Sequence, residues 1–203
     1  MVPEMHQEQS LSYDVLRSVL LSTYIRAWGM PQRRTVSQRQ EHRVEVYFFP
    51  AAAGAVVSRY VTVGVSDRVI PDDKPVDWEL LMVVPADGSA GTHEEITAYL
   101  LDIVAFSFRE DVDFQIGEAF PPSALAPPAW AARAFLVDEP RAEQEFLASI
   151  RVGVHEVKLL WMVPIHADEF ELIKHSGLEA YDEIEEASEW SPADPLRDSY
   201  LRA

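Results

Sequence analysis

The six histidines, His6, His42, His93, His155, His166 and His175, are the first residues to test for chemistry. Two imidazoles can share a zinc ion when they lie one helical turn apart, as in the H-E-x-x-H spacing. No pair here has that spacing. The run His166-Ala-Asp168-Glu169 sets carboxylates beside an imidazole, but Asp168 and Glu169 also suit a helix N-terminus, where the dipole favours negative charge. Cysteine is absent, which removes thiolate nucleophiles, thiolate metal sites and disulfides. Gly64-Val-Ser66-Asp67-Arg68 holds half of a nucleophile elbow, with Arg68 where the second glycine belongs. A turn in which Asp67 bonds the backbone accounts for the same residues. Gly88-Ser-Ala-Gly91-Thr92 precedes a predicted helix, a place where backbone N–H groups can hold an anion. It lacks the lysine of a phosphate-binding loop. Asp111 with Asp113, or Glu183 with Glu185 and Glu186, could serve as acid and base only in a pocket that shifts their pKa values. The sequence offers no catalytic, cofactor-binding or metal-binding residue, and this weighs against an enzyme.

The elements that would position these residues follow from periodicity. Leu11, Val15 and Val19, with Leu16 and Leu20, recur at helical spacing and predict a helix over 10–28, stopped by Gly29 and Pro31. The polar, basic stretch 31–41 reads as a loop. Strands are expected over 44–49, 56–65 and 78–84, separated by turns at 51–55 and 66–75. Connections this short favour an antiparallel meander. Thr92 and Glu95 have capping-box spacing and open a helix that ends near Arg109, with Ile96, Tyr99, Leu100, Ile103 and Val104 on one face. Pro121, Pro122, Pro127 and Pro128 make 111–130 irregular, either a binding loop or a packed crossover. A strand over 132–137, a short helix over 141–149 and a strand over 152–163 come next. The final helix is expected over 167–187, with Phe170, Ile173, Gly177, Tyr181 and Ile184 in a narrow core stripe. Gly177 in that stripe suggests close approach of another backbone. The tail from Glu189 reads as non-helical, and Trp78, Trp130 and Trp161 as core. The fold class is α+β: a mainly antiparallel sheet with helices packed against it in a single compact domain.

Composition sets the outer bounds. The chain has 203 residues, and 48% of them are apolar, enough to bury a real core. It carries 34 acidic against 17 basic side chains, a net charge of −17. Residues 1–68 are net +2 and residues 167–203 net −8, so the acidity belongs to the middle and the end. Binding a phosphate backbone rests on clustered Lys and Arg, so nucleic acid is a poor partner and a basic protein or peptide a better one. The longest uncharged stretches, 48–58 and 119–132, are shorter than a bilayer span. The first ten residues include Glu4 and Glu8 and lack the pattern of a secretory signal. A soluble, cytoplasmic protein without a membrane partner is expected.

Three segments read together resemble the suppressor of fused domain family. Tyr60-Val-Thr-Val-Gly64-Val-Ser66-Asp67-Arg68 is similar to that family's strand and Thr-x-Gly-x-Ser-Asp turn. Trp78-Glu79-Leu80, running to Pro85, is similar to its next strand. The run from Leu160 through Pro164, Glu169, Phe170, Lys174, His175 and Gly177 to Ala180 resembles a late strand and helix, and the tail around Asp194, Pro195, Arg197 and Ser199 a family ending. The likeness covers most of 44–199; the segment 111–140 departs from it. It implies a non-enzymatic protein-binding module over 31–199, with the helix of 1–30 in the same domain and 200–203 as a tail. Animal members restrain a Hedgehog transcription factor by holding a short peptide. Bacterial relatives fall in a superfamily of immunity proteins that neutralise toxins, and this chain resembles a bacterial member. The alternative carried with it is a small-molecule hydrolase using paired carboxylates in a cleft.

Overall fold

A strand that is apolar at every position needs cover on both faces. Within the strand Trp78–Pro85 the stretch Leu80–Val84 is such a run, and its period of two sorts it cleanly. Leu80, Met82 and Val84 enter one core, Leu81 and Val83 the other. The same odd–even division holds for Leu159, Trp161 and Val163 against Leu160 and Met162. One sheet therefore separates two apolar cores.

The computed structural model describes residues 12–39, 42–67, 69–70 and 74–202. In chain order the elements are α1 (Ser12–Trp28), β1 (Arg33–Arg39), β2 (His42–Phe49), β3 (Val57–Val63), β4 (Val69–Ile70), β5 (Lys74–Pro75), β6 (Trp78–Pro85), α2 (His93–Arg109), β7 (Ala119–Phe120), β8 (Ala134–Asp138), β9 (Ser149–Val152), β10 (His155–Ile165), α3 (Ala167–Ser176) and α4 (Leu178–Glu186). Among the described residues the main sheet runs β1-β2-β3-β6-β10-β8-β7, with β9 also paired to β10. Its pairs are antiparallel except β6 with β10. The fold class is α+β, as expected. On one face α1, α3, α4 and the C-terminal segment cover Tyr47, Phe49, Val61 and Trp161. On the other, α2 with Phe114 and Trp130 covers Val46, Tyr60 and Met162.

Five expectations need correction. The stretch 31–41 contains β1, which pairs with β2 from Arg33↔Phe48 to Arg39↔His42. Its polar composition reflects a strand at the margin of the sheet, half in water, rather than a loop. The turn 66–75 holds the short pair β4–β5. The helix foreseen over 141–149 is only a 3₁₀ turn, Glu145–Leu147, followed by β9. Strand β10 runs past Pro164 to Ile165, because beyond Trp161 it pairs with β8 and no longer with β6, so a missing N–H is tolerated. The last helix is two helices. Gly177 sits between them at φ +89°, ψ 170°, backbone that is nearly confined to glycine. A Cβ there would meet nothing within 4 Å, so its role is to turn the chain and not to admit a neighbour.

Candidate functional site

The residues that could do chemistry are gathered around three buried glutamates. Glu79 lies within β6, fully buried. It accepts from Thr62 Oγ1 at 2.6 Å, from the Gly64 and Ser66 backbone N–H groups at 2.8 and 3.0 Å, from Val65 N–H at 3.3 Å and from Ser66 Oγ at 2.7 Å. Thr62 Oγ1 in turn accepts from Leu80 N–H at 2.8 Å. The turn 64–66 thus points its amides inward at a carboxylate. Ser66 is consumed as a donor, so the elbow-like sequence is a structural turn and no nucleophile stands ready. Burial pushes the Glu79 pKa up, and the bonds from Thr62, Ser66 and Gly64 draw it partly back. Arg68 lies outside the described residues.

Glu45, in β2, is the second. Arg34 grips it with Nε and Nη2, both at 2.6 Å. Arg17 Nε donates at 3.1 Å and Tyr13 at 2.9 Å, Arg43 lies at 2.8 Å, and Tyr47 also donates to it. Burial raises its pKa, but the donors from Arg34, Tyr47, Arg17 and Tyr13 outweigh that and hold it down at about 2. Gly64 separates the two carboxylates. At φ +104°, an added Cβ there would lie 2.5 Å from the Arg43 carbonyl and 2.9 Å from the Tyr13 ring.

Glu169, at the start of α3, is the third. Arg197 meets it with Nη1 and Nη2 at 2.6 and 2.7 Å, and both side chains are fully buried. Glu169 also accepts from His166 N–H and Tyr200 N–H, and the Arg197 carbonyl lies 2.8 Å from His166 Nε2. Glu169 is a helix-capping residue, as its place in the sequence suggested, and it also ties the tail to α3. His166 is bound into this network. Among the described residues no three His, Asp or Glu side chains are grouped to hold a metal ion.

The remaining candidates are dispersed. The loop before α2 turns its anion-binding position over to its own Glu95, which accepts from Thr92 N–H at 2.8 Å while Thr92 Oγ1 accepts from Glu95 N–H. Asp113 accepts from the Trp78 indole at 3.0 Å, and Glu185 pairs with Arg141 at 3.0 Å. A cavity of about 180 Å³ lies against β3, β6 and β10, between Leu81, Val83, Trp161, Pro140 and Pro192. It contains one carboxylate, Glu143, held by Arg59 at 2.5 Å and Trp28 Nε1 at 2.7 Å. It does not bring two carboxylates together, as a hydrolase of the expected kind needs.

Of the surfaces open to a partner, the proline-rich connection is pinned at several points, while Pro121, Pro122, Leu125 and Pro128 stay exposed. The Trp130 indole donates to the Ala90 carbonyl at 2.5 Å, and Arg133 donates to the carbonyls of Ser123, Ala124 and Ala126. The N–H groups of Ala131 and Ala132 both donate to the Pro195 carbonyl. The acidic end is more open. Glu179, Glu183 and Glu186 step by four and three along α4, so they share one face, and all are exposed. Glu189 and Trp190 continue that acidic stretch, with Trp190 46% exposed. Among the described residues no helix is long and apolar enough to cross a membrane.

The sequence motifs are thus two bonded pairs. Segment 60–68 is joined to 78–85 through Glu79, and 160–180 to 194–199 through Glu169 and Arg197. Comparison with known proteins agrees with this reading. Compared with curated proteins, the chain matches none. A solved SUFU (suppressor of fused protein) homologue from Neisseria gonorrhoeae superposes with a TM-score of 0.71 at 16% identity, over 91% of this chain and 96% of that one. The Sufu–Fu complex gives 0.65 at 13% identity, over 92% of each chain. Drosophila Suppressor of Fused gives 0.55 at 13%, over 79% of this chain and 43% of that one. The family model of the suppressor of fused protein matches residues 40–198, which takes in the first three motif segments and all but the last residue of the fourth; the chain belongs to the suppressor of fused family.

Proposed function

We propose that this protein is a non-catalytic, cytoplasmic protein-binding module, one domain over 31–199 with the helix of 1–30 part of it. Membership of the family carries this reading, together with the relative Sufu, whose structure is a complex with the protein Fu. The buried carboxylates point the same way. Glu45, Glu79 and Glu169 each have their oxygens taken up by fixed donors, so they serve the frame and not a substrate.

The partner we propose is basic, and the surface that takes it is the exposed face of α4 with Trp190. Three carboxylates one turn apart attract a cationic segment, and the exposed indole of Trp190, four residues past Glu186, offers a guanidinium or ammonium group a π face. In a bacterium this combination suits an immunity protein that neutralises a basic toxin such as a nuclease. The test is affinity capture from the native host at physiological salt, with wild type beside the charge reversal Glu179→Lys/Glu183→Lys/Glu186→Lys. A specific basic protein retained by wild type and lost by the variant is the expected result. Capture of no specific protein, or equal capture by both, would overturn it.

A further inference from the structure

We propose that the outer edge of β1 takes an extended acidic peptide segment of a partner protein, which joins the sheet as an additional strand. β1 ends the sheet order, and among the described residues no strand pairs with its outer side. It is seven residues long, and Arg33, Arg34 and Val36 are exposed. An edge of this length presents a row of backbone donors and acceptors to any strand that fits. This surface is distinct from the α4 face and does not depend on it.

Charge selects the occupant. The chain is net −17, yet this corner is basic. Arg17, Arg34 and Arg43 all pair with Glu45, and their side chains remain 30%, 37% and 40% exposed. One carboxylate against three guanidiniums leaves positive charge in excess, and each guanidinium has five N–H donors, more than Glu45 and Tyr47 use. The pairing Arg34↔Tyr47 and Val36↔Glu45 sets Arg34 and Val36 on the face that carries this cluster, while Arg33 lies on the opposite face. An incoming strand thus meets Arg34 and Val36 on the cluster face and Arg33, which also reaches Glu94 at 3.4 Å, on the other. A carboxylate near Arg34 and an apolar residue beside Val36 complement that pattern.

The test uses the full chain and two labelled seven-residue peptides, acetylated and amidated, each with Thr-Val-Thr at the centre. One carries two glutamates at each end, the other two lysines. The acidic peptide is expected to bind by fluorescence anisotropy and to lose roughly tenfold in affinity between about 50 and 500 mM salt. Backbone amides of β1 should exchange more slowly in its presence, and the basic peptide should not bind. Val36→Glu, which sets a second carboxylate opposite Glu45, should weaken the acidic peptide roughly fivefold or more, with circular dichroism of the free variant confirming that the fold is kept. Binding of both peptides alike, protection that maps away from β1, or a dimer that already protects β1 without peptide would each overturn the proposal.

Discussion

The backbone N–H of Gly64 donates to the Glu79 carboxylate at 2.8 Å, and so fastens the turn after β3 to the middle of β6. On its other side Gly64 lies against the Arg43 carbonyl and the Tyr13 ring, where a Cβ would not fit. One small residue thereby spaces two buried carboxylates, Glu79 and Glu45.

Replacing Glu79 with Gln keeps the shape and turns an NH₂ group toward donors that need an acceptor. Stability should fall by about 2–3 kcal/mol in urea unfolding. Gly64→Ala combines a left-handed φ with the 2.5 Å clash and should cost about 3 kcal/mol or more. An effect below 1 kcal/mol for both would contradict the geometry.

Glu45 gives a pH dependence of definite sign. Its pKa is lowered from 4.5 to about 2 in the folded chain, so the unfolded chain takes up its proton first. Its contribution is complete above pH 4.5 and drains away as the pH falls toward 2. The size is on the order of 2–3 kcal/mol. Urea midpoints measured along this range should fall more steeply for wild type than for Glu45→Gln; parallel curves would count against the assignment.

Breaking the buried pair costs more than removing it. Glu169→Met or Arg197→Met alone leaves one buried group without its counter-charge and should destabilise by about 3–5 kcal/mol. The double variant Glu169→Met/Arg197→Met should recover a large part of that loss, and the double-mutant cycle reads the difference directly. Strict additivity of the two single losses is the outcome that refutes the pair.

Gly177→Ala isolates backbone strain. Nothing lies within 4 Å of an added Cβ, so packing is untouched and only the φ of +89° resists. Thermal unfolding should report a loss of about 1–3 kcal/mol. A neutral or stabilising change would mean that α3 and α4 can straighten into one helix.

Much of the frame was legible because periodicity reports burial. The alternation in β3, the apolar run Leu80–Val84 of β6, and the Thr92–Glu95 capping box each have one physical explanation, and each formed as read. The misreadings share a cause. Polar β1 is a strand only because β2 lies beside it, and sequence spacing cannot show that neighbour. Gly177 fits the apolar stripe by number, yet it divides α3 from α4 at a φ of +89°, which spacing alone cannot show. The site was legible in a different way. Glu79, Glu169 and Arg197 all stood in the segments that carried the family likeness. A charged residue inside an apolar strand or at a helix start signals a buried partner, but only the fold says which one.

The central place of β10 also sets a timetable. It pairs with β6 along 158–161, with β9 along 155–158 and with β8 along 161–165. β6 ends at Pro85, so on the ribosome roughly 70 residues must follow before its second neighbour exists, a wait of several seconds at ordinary elongation rates. Through that interval an apolar strand stands open, and the α1, β2, β3 and β6 half of the protein cannot close its core until the last quarter of the chain arrives.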